Sequence, residues 1–189
     1  MPTRSAPKRR KPTPKVSIGA AGRLADQILK DLEPRTQDFK ARKQEVAILA
    51  RTDLIRKIRG ETSHSPFIVL LSWFASAHRG TTITATLGIY NPDPITYLSS
   101  DLFAHAFWGL GNVVTDLDTY LLSADPSFPR LAIGIDAPPS FPISFATVSI
   151  PLPTTVAPGT YLMNWILFLR NAFGVGTVLE RASVYTALT

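Results

Sequence analysis

A chain of 189 residues with 45% hydrophobic content is long enough for one ordinary domain with a real core, or for one domain plus an arm. Cysteine is absent, which excludes disulfides, thiolate metal sites and every cysteine-based catalytic scheme. The formal charge of +6 is regional: residues 1–60 carry sixteen Lys/Arg against six Asp/Glu, residues 61–189 carry four against eight, and no lysine follows Lys57.

The chain begins MPTRSAPKRRKPTPK, with Arg4, Lys8, Arg9, Arg10, Lys11 and Lys15 among four prolines and no acid. Such a stretch has almost nothing to bury, its like charges repel, and each proline removes a backbone donor. Residues 1–16 therefore read as an extended basic arm that a partner would order. No aromatic residue interleaves these charges, so contact with nucleic acid would run through phosphates, without sequence preference, and would weaken with salt. The basic start runs into proline-rich and then amphipathic sequence rather than an apolar stretch, so no export signal is expected.

Residues 17–60 show helical periodicity. Ser17 is placed to cap a helix whose face is Ile18, Ala21, Leu24, Ala25, Ile28 and Leu32, and Pro34 is expected to end it. Thr36 is then a cap candidate for a second helix with Phe39, Val46, Ala47, Ala50, Leu54 and Ile58 on one side and Gly60 as its stop. That second helix would carry Lys40, Arg42, Lys43, Arg51, Arg56 and Lys57, a row along which a polyanion or an acidic protein surface could lie. The same residues also read as a solvated basic face, and the sequence leaves both readings open.

From residue 66 onward short apolar runs alternate with turn clusters, the pattern of a β-sandwich or barrel. The longest run, PFIVLLSWFASA at 66–77, falls short of the roughly twenty residues a membrane-crossing helix needs and is rich in β-branched and aromatic types. It reads as a buried strand, and no membrane association is expected. TTITATLGIYNPDP reads as a strand stopped by its two prolines, with a bulge at Gly88 as an option. Further strands are predicted at 103–108, 119–123, 130–135, 143–150, 160–170 and 177–188. Tyr161 to Leu169 is apolar on both faces, which marks a central strand. The predicted fold is mainly β: a two-sheet antiparallel β-sandwich over residues 66–189, immunoglobulin-like or jelly-roll, preceded by the basic arm and two amphipathic helices.

Two motifs carry a resemblance. Tyr90-Asn91-Pro92-Asp93 at a strand end, and Val156-Ala157-Pro158-Gly159-Thr160-Tyr161 leading into a long strand, a hairpin and a last strand, resemble immunoglobulin-like or fibronectin-like accessory domains. Such domains occur in bacterial surface proteins, glycosidases and phage virion proteins. The resemblance implies a sandwich topology over residues 66–189 and names no ligand. A basic arm on a β-sandwich is also similar to small icosahedral coat proteins, which are jelly rolls.

No constellation points to an enzyme. His64, His78 and His105 lack metal-ligand spacing, and Asp116, Asp118 and Asp125 lack the Asp-x-Asp-x-Asp-Gly spacing that would converge on calcium. There is no G-x-S-x-G, and only Glu61 and Glu180 follow residue 60 as glutamates. No cofactor and no metal are expected. Trp73 and Trp165 read as core, while Trp108, in the loop-like AFWGLGN, is the tryptophan held open for a carbohydrate platform. The function expected is a structural virion protein, either coat or capsid-associated. The sandwich and helices would meet copies of itself or other capsid subunits, and the arm would contact packaged nucleic acid or an acidic capsid surface. A carbohydrate-binding or adhesion module is the alternative.

Overall fold

The computed structural model describes residues 16–61, 66–109, 128–129, 131–170 and 176–189. Helix α1 spans Ile18–Ala41 and begins where its cap predicts, the Ser17 hydroxyl accepting from the Ala20 N–H at 3.2 Å. It does not stop at Pro34. A proline in a helix interior costs about 3 kcal/mol, but Pro34 is exposed, and the stripe Ala21, Ala25, Ile28, Leu32 and Phe39 continues past it into the core. Burial of that stripe outweighs the missing hydrogen bond. Thr36 is consequently not a cap; its hydroxyl donates to the Leu32 carbonyl one turn back.

The second predicted helix is also shorter than its periodicity suggests. Lys43 sits at φ 61° and turns the chain out of α1, the Gln44 N–H reaching the Phe39 carbonyl and the Lys43 N–H that of Lys40. This is the double hydrogen bond of a Schellman stop, made here with lysine where glycine is usual. Strand β1 follows at Glu45–Ile48, so Val46 and Ala47 belong to a sheet and not to a helix. Helix α2 is only Arg51–Ile58. Its stop is as expected: Gly60 at φ 69° donates to Lys57, and the Glu61 N–H reaches the Arg56 carbonyl.

The remaining strands are β2 (Phe67–Trp73), β3 (Ser76–Ala77), β4 (Thr82–Asn91), β5 (Leu102–Gly109), β6 (Leu131–Gly134), β7 (Ser140–Pro151), β8 (Gly159–Arg170) and β9 (Gly176–Leu188). The strand expected at 119–123 lies outside the described residues. Sheet A has the order β1-β2-β4-β7 and sheet B the order β3-β9-β8-β5-β6, which makes β8 a central strand. The run 67–77 is two strands rather than one, because the chain passes from sheet A to sheet B after Trp73. Pairing is antiparallel throughout except that β3 runs parallel to β9.

This order decides between the two sandwich topologies. Strands β2, β4 and β7 in one sheet against β6, β5, β8 and β9 in the other follow the immunoglobulin-like A-B-E and C-F-G pattern, not a jelly roll. Two side chains agree with it. Tyr161, at the start of β8, donates its hydroxyl to the Ala157 carbonyl at 2.8 Å, the tyrosine corner of such domains. Two residues further on, Met163 is fully buried where antibody domains carry a cysteine.

Three layers result. Between the sheets lies one core, with Leu87, Trp108, Val148, Met163 and Trp165 among its members. On the outer face of sheet A lies a second, in which Ile28, Leu32, Leu54 and Ile58 of the helices cover Phe67, Val69, Leu70 and Tyr90. A bulge in β2 opposite Gly88 turns Val69 and Leu70 together toward the helices, while Ile68 and Leu71 face sheet B. The bulge lies in β2 and not in β4, because Gly88 leaves room there: a Cβ at that position would lie 3.1 Å from Leu70. Burial on both faces is why PFIVLLSW shows no alternation.

Candidate polyanion-binding face

The charged surface of the helical layer is built from two helix ends and one helix flank. Of the predicted contact residues, Arg4, Lys8, Arg9, Arg10, Lys11 and Lys15 lie outside the described residues. The other six fall on different elements: Lys40 in the last turn of α1, Arg42 and Lys43 in the turn after it, and Arg51, Arg56 and Lys57 on α2. The single row expected from one long helix does not exist, since β1 intervenes.

Intramolecular pairing divides the six further. Arg51 grips Asp26 of α1 with two hydrogen bonds, Nε to Oδ1 at 2.6 Å and Nη2 to Oδ2 at 3.0 Å. The hydrogen bond from Arg51, reinforced by its charge, holds the Asp26 carboxyl below the ordinary carboxylate range. Lys57 pairs with Glu180 of β9 and lies over the Phe67 ring, and both charged side chains are less than one-fifth exposed. The second oxygen of Glu180 accepts from the Ile68 N–H, so this carboxylate ties α2, sheet A and sheet B together. Lys57 is therefore a structural cation, while Arg51 is exposed but held by Asp26 through two hydrogen bonds; the sequence signals neither role because both partners are remote.

Arg42 and Arg56 are more available. Each has a local acid, Asp38 at 2.8 Å and Asp53 at 3.8 Å, but these are exposed i,i+4 and i,i+3 pairs of the kind worth well under about 1 kcal/mol. Lys40 and Lys43 are exposed, and neither has an ion pair among the described residues. With Arg42 they surround the C-terminal end of α1, whose negative dipole they complement.

Sequence reasoning did not single out Lys30. A groove of about 420 Å³ runs between α1 and β1, with Leu29 and Ile48 contributing apolar lining and Lys30, Glu33, Gln37 and Lys40 polar lining. Lys30 and Lys40 are ten residues apart on one helix, or about 15 Å at the α-helical rise. That span covers two or three phosphates of an extended strand, with Glu33 as the opposing charge between. The helical periodicity could have shown this pair only once α1 was known to continue through Pro34.

The carbohydrate platform loses its residue. Trp108 lies in β5, not in a loop; it is 1% exposed and stacks on Phe128 at 5.0 Å. Trp165 is buried, and Trp73 is half-buried with its indole N–H donating to the Tyr185 carbonyl. His78 bonds Thr189, and His105 is half-buried against Phe168, burial pushing its pKa down with a smaller contribution from Arg170. His64, Asp116, Asp118 and Asp125 lie outside the described residues. Asp136 accepts from the Ser99 N–H at 2.7 Å, a contact between segments 37 residues apart. Among the described residues no group of three or more His, Asp or Glu is placed to hold a metal, and no helix is long and apolar enough to cross a membrane.

No family model matches this chain, and no curated protein matches it. Solved structures do. The C-terminal domain of Wzt is 11% identical with a TM-score of 0.46, the match covering 67% of this chain and 75% of that one. A Niemann-Pick type C2 protein from Japanese carpenter ant is 10% identical at TM-score 0.41, over 67% and 95%. The CARDB domain of a Pyrococcus furiosus protein is 9% identical at TM-score 0.39, over 70% and 97%. The immunoglobulin-like assignment itself rests on the strand order.

Proposed function

We propose that this chain is a non-enzymatic structural protein of a virion, a coat or capsid-associated subunit whose immunoglobulin-like body assembles with copies of itself or other capsid subunits. In this reading the basic arm and the end of α1 contact the phosphates of packaged nucleic acid or an acidic capsid surface. The observation that carries it is the segregation of charge. Residues 1–60 hold a net +10, and the described part of that segment spends its apolar side on sheet A. Lys30, Lys40, Arg42 and Lys43 are exposed along the second half of α1 and the turn after it, with Arg23, Arg35 and Arg56 exposed elsewhere on the helices. A folded body with a cationic appendage on one layer fits a protein that anchors a flexible polyanion beneath a rigid wall.

Salt-dependent binding tests it. Duplex DNA affinity of the full chain, measured across salt concentrations, should fall with a log–log slope near −7 if the six arm cations and about two at the end of α1 are engaged, using about −0.9 per phosphate neutralised. Deleting residues 1–16 should flatten the slope to about −2 while leaving circular dichroism unchanged. Equal slopes for the two forms would sink the arm's role. Electron microscopy of the expressed protein tests the assembly half, closed shells or particle-bound subunits being the expected result.

A further inference from the structure

The four sheet edges are treated very differently. Strands β1 and β6 have four residues each and β3 has two, whereas β7 has twelve and is the outer strand of sheet A. Long edges are usually guarded by charge, proline, a bulge or a covering element, because their unpaired N–H and C=O groups template another strand. Strand β7, SFPISFATVSIP, has no charged residue, its two prolines stand near its ends, and its register with β4 is unbroken from Ser144 to Pro151. At the Ser140 end it is flanked, the Ser144 hydroxyl donating to the Asp136 carbonyl and Arg35 of α1 lying over Phe145. From Ala146 to Pro151 no strand among the described residues pairs with its free side, and Thr147, Ser149 and Pro151 are exposed.

We propose that this half of β7 is the surface through which two copies of the chain join, edge to edge and antiparallel about a two-fold axis, so that sheet A continues from one copy into the next. The proposal rests on the assembly half of the reading above and names its contact. A two-fold normal to the sheet keeps each face on its own side. With Val148 at the axis, Thr147 meets the partner's Ser149 on the outer face, and Ala146 meets the partner's Ile150 on the inner face. Hydroxyl faces hydroxyl, and the apolar residues Ala146, Val148 and Ile150 extend the inter-sheet core across the junction. Charge selects the occupant. A neutral strand brings no repulsion when apposed to itself, whereas the chain's own basic arm would find no acid along it.

The full chain, followed by analytical ultracentrifugation over micromolar to hundred-micromolar concentrations, should reach twice the chain mass. Thr147→Lys combined with Ser149→Lys sets lysines opposite one another and should return the chain to single mass. Mixing that protein with one carrying Thr147→Asp and Ser149→Asp should restore the doubled mass. Because the chain has no cysteine, Val148→Cys is a milder probe, and mild oxidation should link it to itself, antiparallel partners having Cα spacings that suit a disulfide. A wild type that stays at single mass throughout, or a Val148→Cys protein that does not cross-link, overturns the pairing. An edge dimer that lacks salt-dependent DNA affinity overturns the arm's role and leaves the pairing standing, and DNA affinity in a strict monomer does the reverse.

Discussion

Lys43 occupies a left-handed backbone position at φ 61°, where a β-carbon is disfavoured and glycine is the usual occupant. Its side chain is also one of the exposed cations at the end of α1, so the position combines strain with charge. Lys43→Gly should stabilise the fold by about 1 kcal/mol, seen as a higher midpoint in urea, while weakening DNA binding. A gain in stability without loss of affinity would show that Lys43 does not touch the polyanion. At this scale the sequence is least legible. Lys40, Arg42, Lys43, Arg51, Arg56 and Lys57 look alike as letters, yet Asp26 claims Arg51 and Glu180 claims Lys57 from far along the chain. Which cations stay free is decided by partners 25 and 123 residues away.

Elements were legible where one local signal acted alone. Ser17 as a cap, Gly60 as a stop and the β4 run ended by Asn91 and its prolines all appear as expected, because each depends on backbone chemistry within a turn. The failures came where two signals competed. At Pro34 a strong local breaker met a continuing apolar stripe, and the stripe won because packing on sheet A supplies more than the proline removes. Pro34→Ala should therefore restore a helix hydrogen bond without altering α1, raising stability by roughly 1–3 kcal/mol in thermal or urea melts. A destabilised variant would mean that Pro34 makes a contact beyond its helix. Around Val46 and Ala47 a helical spacing was coincidental, and pairing with Ser72 and Leu71 of β2 drew the segment into sheet A. For Trp108 the neighbouring glycines suggested a loop, whereas pairing with Met163 of β8 makes it a strand residue of the core.

At the scale of the whole molecule, Glu180 is a polar tie that crosses all three layers. It joins Lys57 of α2 and the Ile68 N–H of β2 from its own place in sheet B. Glu180→Gln leaves a mostly buried ammonium without its counter-charge and should cost about 2 kcal/mol, with unfolding remaining a single transition in calorimetry. Loss of helicity before the sheets melt would show instead that the helical layer detaches on its own. The class of the molecule followed from the sequence alone: alternation, turn chemistry and the asymmetric charge are local properties, and they specified a β-sandwich carrying a basic, helical N-terminal segment. Immunoglobulin-like strand order, the stacking of the helices on sheet A, the burial of Trp108 and the place of β7 at the edge of sheet A among the described strands were decided only in three dimensions. Each depends on which remote segments meet, and alternate apolar residues fit either sandwich topology equally well.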